Sequence, residues 1–162
     1  EQIAKCRAMI LRRSNHEPIQ HILGTAAFCG LEFDVNKSVL VPRPETELLV
    51  ETAITLFKET NHSSAEREFF ILDYGSGSGC IGMSLAKEFP AARLDLLDLS
   101  EAALAVAKQN AEKLGLAAQT RFFLGDGLKL APGQTPLRES YSLIVSNPPY
   151  IASHEKIGRA HV

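Results

Sequence analysis

The chain has 162 residues, 45% hydrophobic and 22% charged, a globular composition that excludes disorder and collagen-like repeats and predicts one domain, or two if one is very small. Lys plus Arg number 17 against 19 Asp plus Glu, a net charge of −2, so no basic footprint for non-specific nucleic-acid binding shows. No apolar run approaches the roughly 20 residues of a membrane helix, and Cys6, Cys29 and Cys80 form neither a disulfide scaffold nor a cysteine zinc site. The histidines show no ligand spacing, so no metal is expected. The compartment expected is reducing and cytoplasmic. An organellar address stays open because the chain begins at Glu1 without an initiator Met.

In chain order, Ile3, Cys6, Ile10 and Leu11 stand at helical spacing and predict the end of a helix. From Ile19 to Val41 the pattern changes to short apolar runs broken by Gly24, Gly30 and Asn36, and Leu31 to Val35 alternates with period two, as in a hairpin strand. Pro44 suits the first turn of a helix whose positive end Glu45 and Glu47 would favour, continuing through Leu48, Leu49, Ala53 and Leu56. Asn61 to Glu68 reads as a polar linker.

A regular alternation follows. Phe69 to Leu72 is a strand; Ile81, Leu85 and Phe89 mark one face of a helix that Pro90 ends; Leu94 to Leu97 is a second strand. Ser100 caps a helix with a stripe of Leu104, Ala107, Ala111 and Leu114, stopped at Gly115. Thr120 to Leu124 and Tyr141 to Val145 are the third and fourth strands. Such alternation predicts a parallel sheet covered on both faces, and ligands on such sheets sit at the carboxyl ends of the strands.

The first strand ends Asp73-Tyr74-Gly75-Ser76-Gly77-Ser78-Gly79. Glycines at alternate positions let the backbone turn sharply and admit a ligand close to the main chain. Gly77 to Gly82 also fits G-x-G-x-x-G, a weak signal for a dinucleotide. Asp73 argues against that guest, since it sets a carboxylate where a pyrophosphate would lie. A cation without phosphate, such as the amino group of S-adenosylmethionine, fits better; a structural turn with a capping aspartate is the alternative. Asp98, ending the second strand, can accept from a ribose diol, and Asp126 in Gly125-Asp126-Gly127 can accept from an adenine amino group or belong to a plain turn. Cys80 reads as a small helix-start residue, not a nucleophile.

The fourth strand ends Ser146-Asn147-Pro148-Pro149-Tyr150. Two prolines remove N–H donors and leave acceptors. Asn147 Oδ1 and the Pro148 carbonyl can together take both hydrogens of a planar NH2 group while Tyr150 covers its face.

With these motifs in place, the chain resembles the PrmC/HemK family of glutamine methyltransferases that act on the Gly-Gly-Gln motif of class I peptide chain release factors. The likeness runs from about Glu17 to Ser153 and includes Pro18 to Gly24 and Val41-Pro42-Arg43-Pro44-Glu45-Thr46-Glu47. It implies an α/β, Rossmann-like class I S-adenosylmethionine-dependent methyltransferase sheet, truncated after the fourth strand. It further implies the end of a helical N-terminal domain over 1–16, a β-hairpin linker over 17–43 and a partial methyltransferase domain over 44–156. The cofactor implied is S-adenosylmethionine, held by Asp73, Gly75, Ser76, Gly77, Ser78, Gly79, Asp98, Asp126, Gly127 and Asn147. The catalytic set is Asn147, Pro148 and Tyr150, and the substrate site adds Pro149, Arg43 and Glu45. Gly127 departs from the family, which often carries a bulky residue against the adenine. The partners implied are release factors, with no membrane and no direct nucleic-acid binding.

Other classes remain in view: an amino-methyltransferase acting on adenine or guanine in nucleic acid, or on a ribosomal-protein glutamine; a dinucleotide oxidoreductase; and a non-enzymatic binding module. Residues 157–162 read as one frame of a common sequencing adaptor and are expected to be a non-native tail. The 162-residue chain alone is expected to be aggregation-prone and without turnover, because strands that should follow the fourth are absent from it.

Overall fold

The computed structural model describes residues 1–60, 69–126 and 137–148. The expected linker 61–68, Gly127, Pro149, Tyr150 and the expected tail 157–162 lie outside the described residues.

Helix α1 spans Gln2–Ser14 and buries none of its residues; Ile3, Ile10 and Leu11 all face outward. A short helix that periodicity does not reveal follows, α2 (Ile19–Leu23), begun after Pro18 and stopped at Gly24 with φ +84°. Five residues are too few for a hydrophobic period to register, yet His21 and Ile22 are buried. The hairpin pairs β1 (Thr25–Phe28) with β2 (Leu31–Asp34) around Cys29 and Gly30, whose φ values of +48° and +71° suit a two-residue turn matched to strand twist.

Helix α3 (Pro44–Thr60) starts at the expected proline, but its buried face is Val50, Ala53 and Phe57, while Leu48 and Leu56 are exposed. Phe57 stacks on Phe69 with ring centroids 4.4 Å apart, and both rings meet Phe89 at 5.1 and 5.5 Å. Contacts of that kind add roughly 0.5–1.5 kcal/mol per pair beyond burial, and here they lock α3 to the sheet.

The sheet is parallel. Strands β3 (Phe69–Tyr74), β4 (Ala92–Asp98), β5 (Thr120–Leu124) and β6 (Leu143–Ser146) lie in the order β5-β4-β3-β6. Helices α4 (Cys80–Glu88) and α5 (Glu101–Lys113) provide the crossovers, and Ser100 Oγ accepts from the Ala103 N–H at 3.2 Å as the predicted cap. The fourth strand begins two residues later than its pattern suggests. Tyr141 is diverted from it: its hydroxyl donates to fully buried Asp95 at 2.7 Å. Asp95 also accepts from Arg121 Nε at 2.8 Å and lies 3.4 Å from Arg138 Nε.

A main core lies between the sheet and α3, α4 and α5. A second, smaller core joins the hairpin region to α5 through Ala26, Val35, Val39, Ala103 and Val106. No described helix is long and apolar enough to cross a membrane. The chain direction reverses its lateral progress between β3 and β6, which places the ligand crevice at the carboxyl ends of those two strands.

Candidate functional site

A cavity of about 450 Å³ opens where the topology requires it, within the range of roughly 300–1,000 Å³ usual for small-molecule sites. One wall is the glycine loop, Gly75 to Ser78; a second is Asp98 and Leu99 after β4; Gly125, Asn147 and Pro148 follow β5 and β6. The remaining wall is the segment Ser38 to Arg43 together with Thr46.

The loop holds its shape through backbone hydrogen bonds. Gly75 and Ser76 donate their N–H groups to the Leu97 carbonyl at 2.8 and 3.1 Å. Gly75 and Gly79 adopt φ +74° and +80°, a left-handed conformation that costs a residue with a Cβ roughly 1–2 kcal/mol. Gly79 has a second reason to be glycine: an added Cβ would lie 2.6 Å from Met83 Cε.

Asp98 straps the loop to the second strand. Its Oδ2 accepts from the Gly77 N–H and its Oδ1 from the Ser100 N–H, each at 2.8 Å. Asp98 therefore faces the cavity and orders two of its walls.

Asp73 is placed differently from Asp98. It is 1% exposed, and its Oδ2 accepts from the Gly82 N–H at 2.9 Å at the start of α4. Burial, opposed in part by that bond and reinforced by Asp98, raises its pKa to about 7. Asp73 stands behind the loop and is not among the residues facing the cavity. Its Oδ1 and the hydroxyl of Ser76 are buried without a hydrogen-bond partner among the described residues. Ser76 lines the cavity, so a ligand at the loop lies beside its hydroxyl, whereas the Asp73 carboxyl stays behind the loop. Asp98 at the cavity, backed by the carboxyl of Asp73, favours a group carrying positive charge and is ill suited to a phosphate.

Asp126 is also set back: its Oδ1 accepts from the Tyr74 hydroxyl at 2.9 Å. Cys80 has its thiol pushed up to about 12, chiefly by burial, so it is not a thiolate nucleophile.

The segment Arg43 to Glu47 divides its labour. Arg43 stands on the cavity wall, whereas Glu45 is exposed and does not face the cavity. Glu47 Oε1 accepts from the Cys29 N–H at 2.9 Å and ties α3 to the hairpin turn. Thr46, which sequence reasoning passes over, accepts through Oγ1 from Asn147 Nδ2 at 3.1 Å. That contact crosses a hundred residues of chain and has no local signature. The wall 38–41 is likewise missed, since its apolar residues read only as hairpin.

The structure thus brings Gly75 to Ser78, Asp98, Arg43, Asn147 and Pro148 to one cavity. Gly127, Pro149 and Tyr150 fall outside the described residues.

Residues 46–161 match the family described as Methyltransferase small domain. The chain is 43% identical over 152 residues to a release factor glutamine methyltransferase of Geobacter sulfurreducens, covering 93% of this chain and 48% of that protein. It is 45% identical over 157 residues to a protein of the same name from Burkholderia pseudomallei, covering 94% and 51%. The chain thus spans about half the length of these curated relatives. Among solved structures, the N-terminal domain of human METTL16 superposes with a TM-score of 0.60 at 20% identity, over 82% of this chain and 52% of that one. This likeness shows a shared methyltransferase fold.

Proposed function

The chain belongs to the Methyltransferase small domain family, and from that premise we propose that the protein methylates the side-chain amide of a glutamine, using S-adenosylmethionine, with the Gly-Gly-Gln motif of class I peptide chain release factors as its target. The relatives at 43% and 45% identity carry the name of that activity. The observation that carries the reading is Asn147 and Pro148 standing on the same cavity as the glycine loop and Asp98.

Gly75 to Ser78 and Asp98 would hold the cofactor, with the Ser76 hydroxyl as a further polar group on the cavity wall and Asp73 setting negative charge behind the loop. S-adenosylmethionine would supply a methyl group on a sulfonium: the S–CH3 bond breaks to leave a neutral thioether, the N–CH3 bond forms, and the amide gives up one N–H proton to water.

The amide nitrogen is a poor nucleophile because its lone pair is delocalised into the carbonyl. Asn147 Oδ1 and the Pro148 carbonyl would each accept one N–H of the substrate amide and hold its nitrogen toward the methyl. The Asn147 amide is itself oriented, since its Nδ2 donates to Thr46. Oriented dipoles of this kind stabilise the change in charge without solvent reorganisation, and holding the amide in line supplies most of the acceleration. Arg43 and Glu45 at the start of α3 would meet the protein substrate at the cavity mouth, and Pro149 and Tyr150 would complete the amide site. The protein then works where release factors do, in the cytoplasm.

The test offers labelled S-adenosylmethionine and the full-length protein three substrates in parallel: a class I release factor, a ribosomal protein and duplex DNA. Release factor should be labelled once, and the version with its target Gln replaced should stay unlabelled. Preferential labelling of DNA would move the activity to the nucleic-acid class.

A further inference from the structure

Asn110 sits on the buried stripe of α5, three residues after Ala107 and four before Leu114, and is 0% exposed. A neutral amide has two N–H donors and one carbonyl acceptor, and all are used across three segments of chain. Its Oδ1 accepts from the Asp34 N–H at 2.7 Å, and Nδ2 donates to the Asp34 carbonyl and to the Ser78 carbonyl, each at 3.0 Å. Asp34 ends β2 and leads into the wall 38–43 of the cavity; Ser78 belongs to the glycine loop that forms another wall. One side chain therefore holds both walls.

The surroundings make this junction stiff. Val35 and Val39 pack on Ala103 and Val106 of the same helix. Outside, Lys113 Nζ bridges Glu32 and Asp34 at 2.8 and 2.7 Å. The helix carrying Asn110 thus grips the segment leaving the hairpin on one side and supports the loop on the other.

We infer that Asn110 is a positioning residue: it registers the wall formed by residues 38–43 against the Gly75–Gly79 loop, so that occupation of the loop by a nucleoside cofactor is transmitted to the hairpin segment. The inference rests on the cofactor reading of the cavity. A residue serving only the fold would lower stability and leave ligand affinity alone. A registering residue changes affinity in a chain that is still folded, because the cavity then opens between walls no longer held to one another.

Hydrogen exchange on the unaltered full-length protein, with and without S-adenosylhomocysteine, reads the coupling with no substitution. Slower exchange is expected at the loop amides 75–79 and also at Asp34 and its neighbours, remote from the ligand along the chain. Two variants supply the second readout. Asn110→Ala removes all three bonds, and Asn110→Asp keeps an acceptor for the Asp34 N–H while withdrawing both donors. Leaving the two buried carbonyls without a donor should weaken S-adenosylhomocysteine at least tenfold by calorimetry in each folded variant. Protection confined to the loop, or an affinity within twofold of the parent in a folded variant, overturns the inference and leaves the cofactor reading standing. Failure of the parent to bind S-adenosylhomocysteine overturns both.

Discussion

Asn147 reaches the cavity from the end of β6 with its Nδ2 donated to Thr46 at the start of α3. The acceptor character of Asn147-Pro148 follows from chemistry that a proline pair imposes locally, and both residues do face the cavity. The partner of Asn147 does not follow, because Thr46 reaches it only through the tertiary fold. Thr46→Val keeps the shape and removes the oxygen that takes Asn147 Nδ2. In the full-length protein it should lower turnover about tenfold, or about 1.4 kcal/mol, with S-adenosylhomocysteine affinity within twofold; unaltered initial rates would dismiss the contact as incidental. Asp73 was legible as an acid beside the loop, but its depth was not, since a strand end can face either layer. Its raised pKa, about 7 against roughly 3.9 unfolded, has a definite sign. The folded protein holds the Asp73 proton more tightly, so this contribution to stability is full below about pH 4 and is lost as pH rises through about 7. Asp73→Asn preserves an acceptor for Gly82 and removes the charge. It should melt with the parent near pH 4 and well above it at pH 8, by an amount on the order of a few kcal/mol. Parallel melting curves at both pH values would show that Asp73 is not the group titrating.

At the scale of elements, strands and the two crossover helices were readable because their apolar spacing is strict: β5 has the bounds its pattern predicts, and Gly115 stops the chain after α5 with φ +69°. Helix α2 was not readable, because five residues are too few for an apolar period to repeat. In α3 apolar spacing gives the helix but not its inward side: Leu48 and Leu56 are exposed while Val50, Ala53 and Phe57 are buried, and the aromatic contacts of Phe57 fix that side against the core. The glycine loop offers a graded test. Gly75→Ala meets no atom within 4 Å and carries only the cost of its φ, about 1–2 kcal/mol. Gly79→Ala adds contacts of 2.6 Å to Met83 Cε and 3.1 Å to Leu96 Cδ1, and overpacking costs a further 1–3 kcal/mol or so. Urea titrations should rank Gly79→Ala as clearly the less stable; equal midpoints would mean Met83 moves aside freely.

Across the whole molecule, the strand order was only partly legible. Alternating strands and helices imply a parallel sheet, but no local pattern tells β6 to cross to the far side of β3. That choice creates the crevice. It also leaves β6, among the described residues, as an edge strand whose Ile144 is 62% exposed, opposite an edge at β5 where Leu124 is 58% exposed. An apolar edge with open N–H and C=O groups recruits other strands. The isolated 162-residue chain should therefore associate with rising concentration, and Ile144→Lys should suppress this in sedimentation velocity runs. Equal association of both forms would place the sticky surface elsewhere.

The buried carboxylate of Asp95 sets an order of events. Dehydrating a carboxylate costs several kcal/mol unless its partners arrive with it. Arg121 comes 26 residues later along the chain and the Tyr141 hydroxyl 46 residues later. A ribosome adding roughly 5–20 residues per second needs about 2–9 s to deliver that tyrosine. Asp95 therefore has its full set of partners only once the chain has reached Tyr141, just before β6. Once Arg121, Arg138 and Tyr141 close over Asp95, the same event delivers β6 to β3. The stretch of chain that satisfies Asp95 thus leads directly into the strand that brings Asn147 to the cavity, so one segment both neutralises the sheet's buried ion and completes the amide side of the crevice.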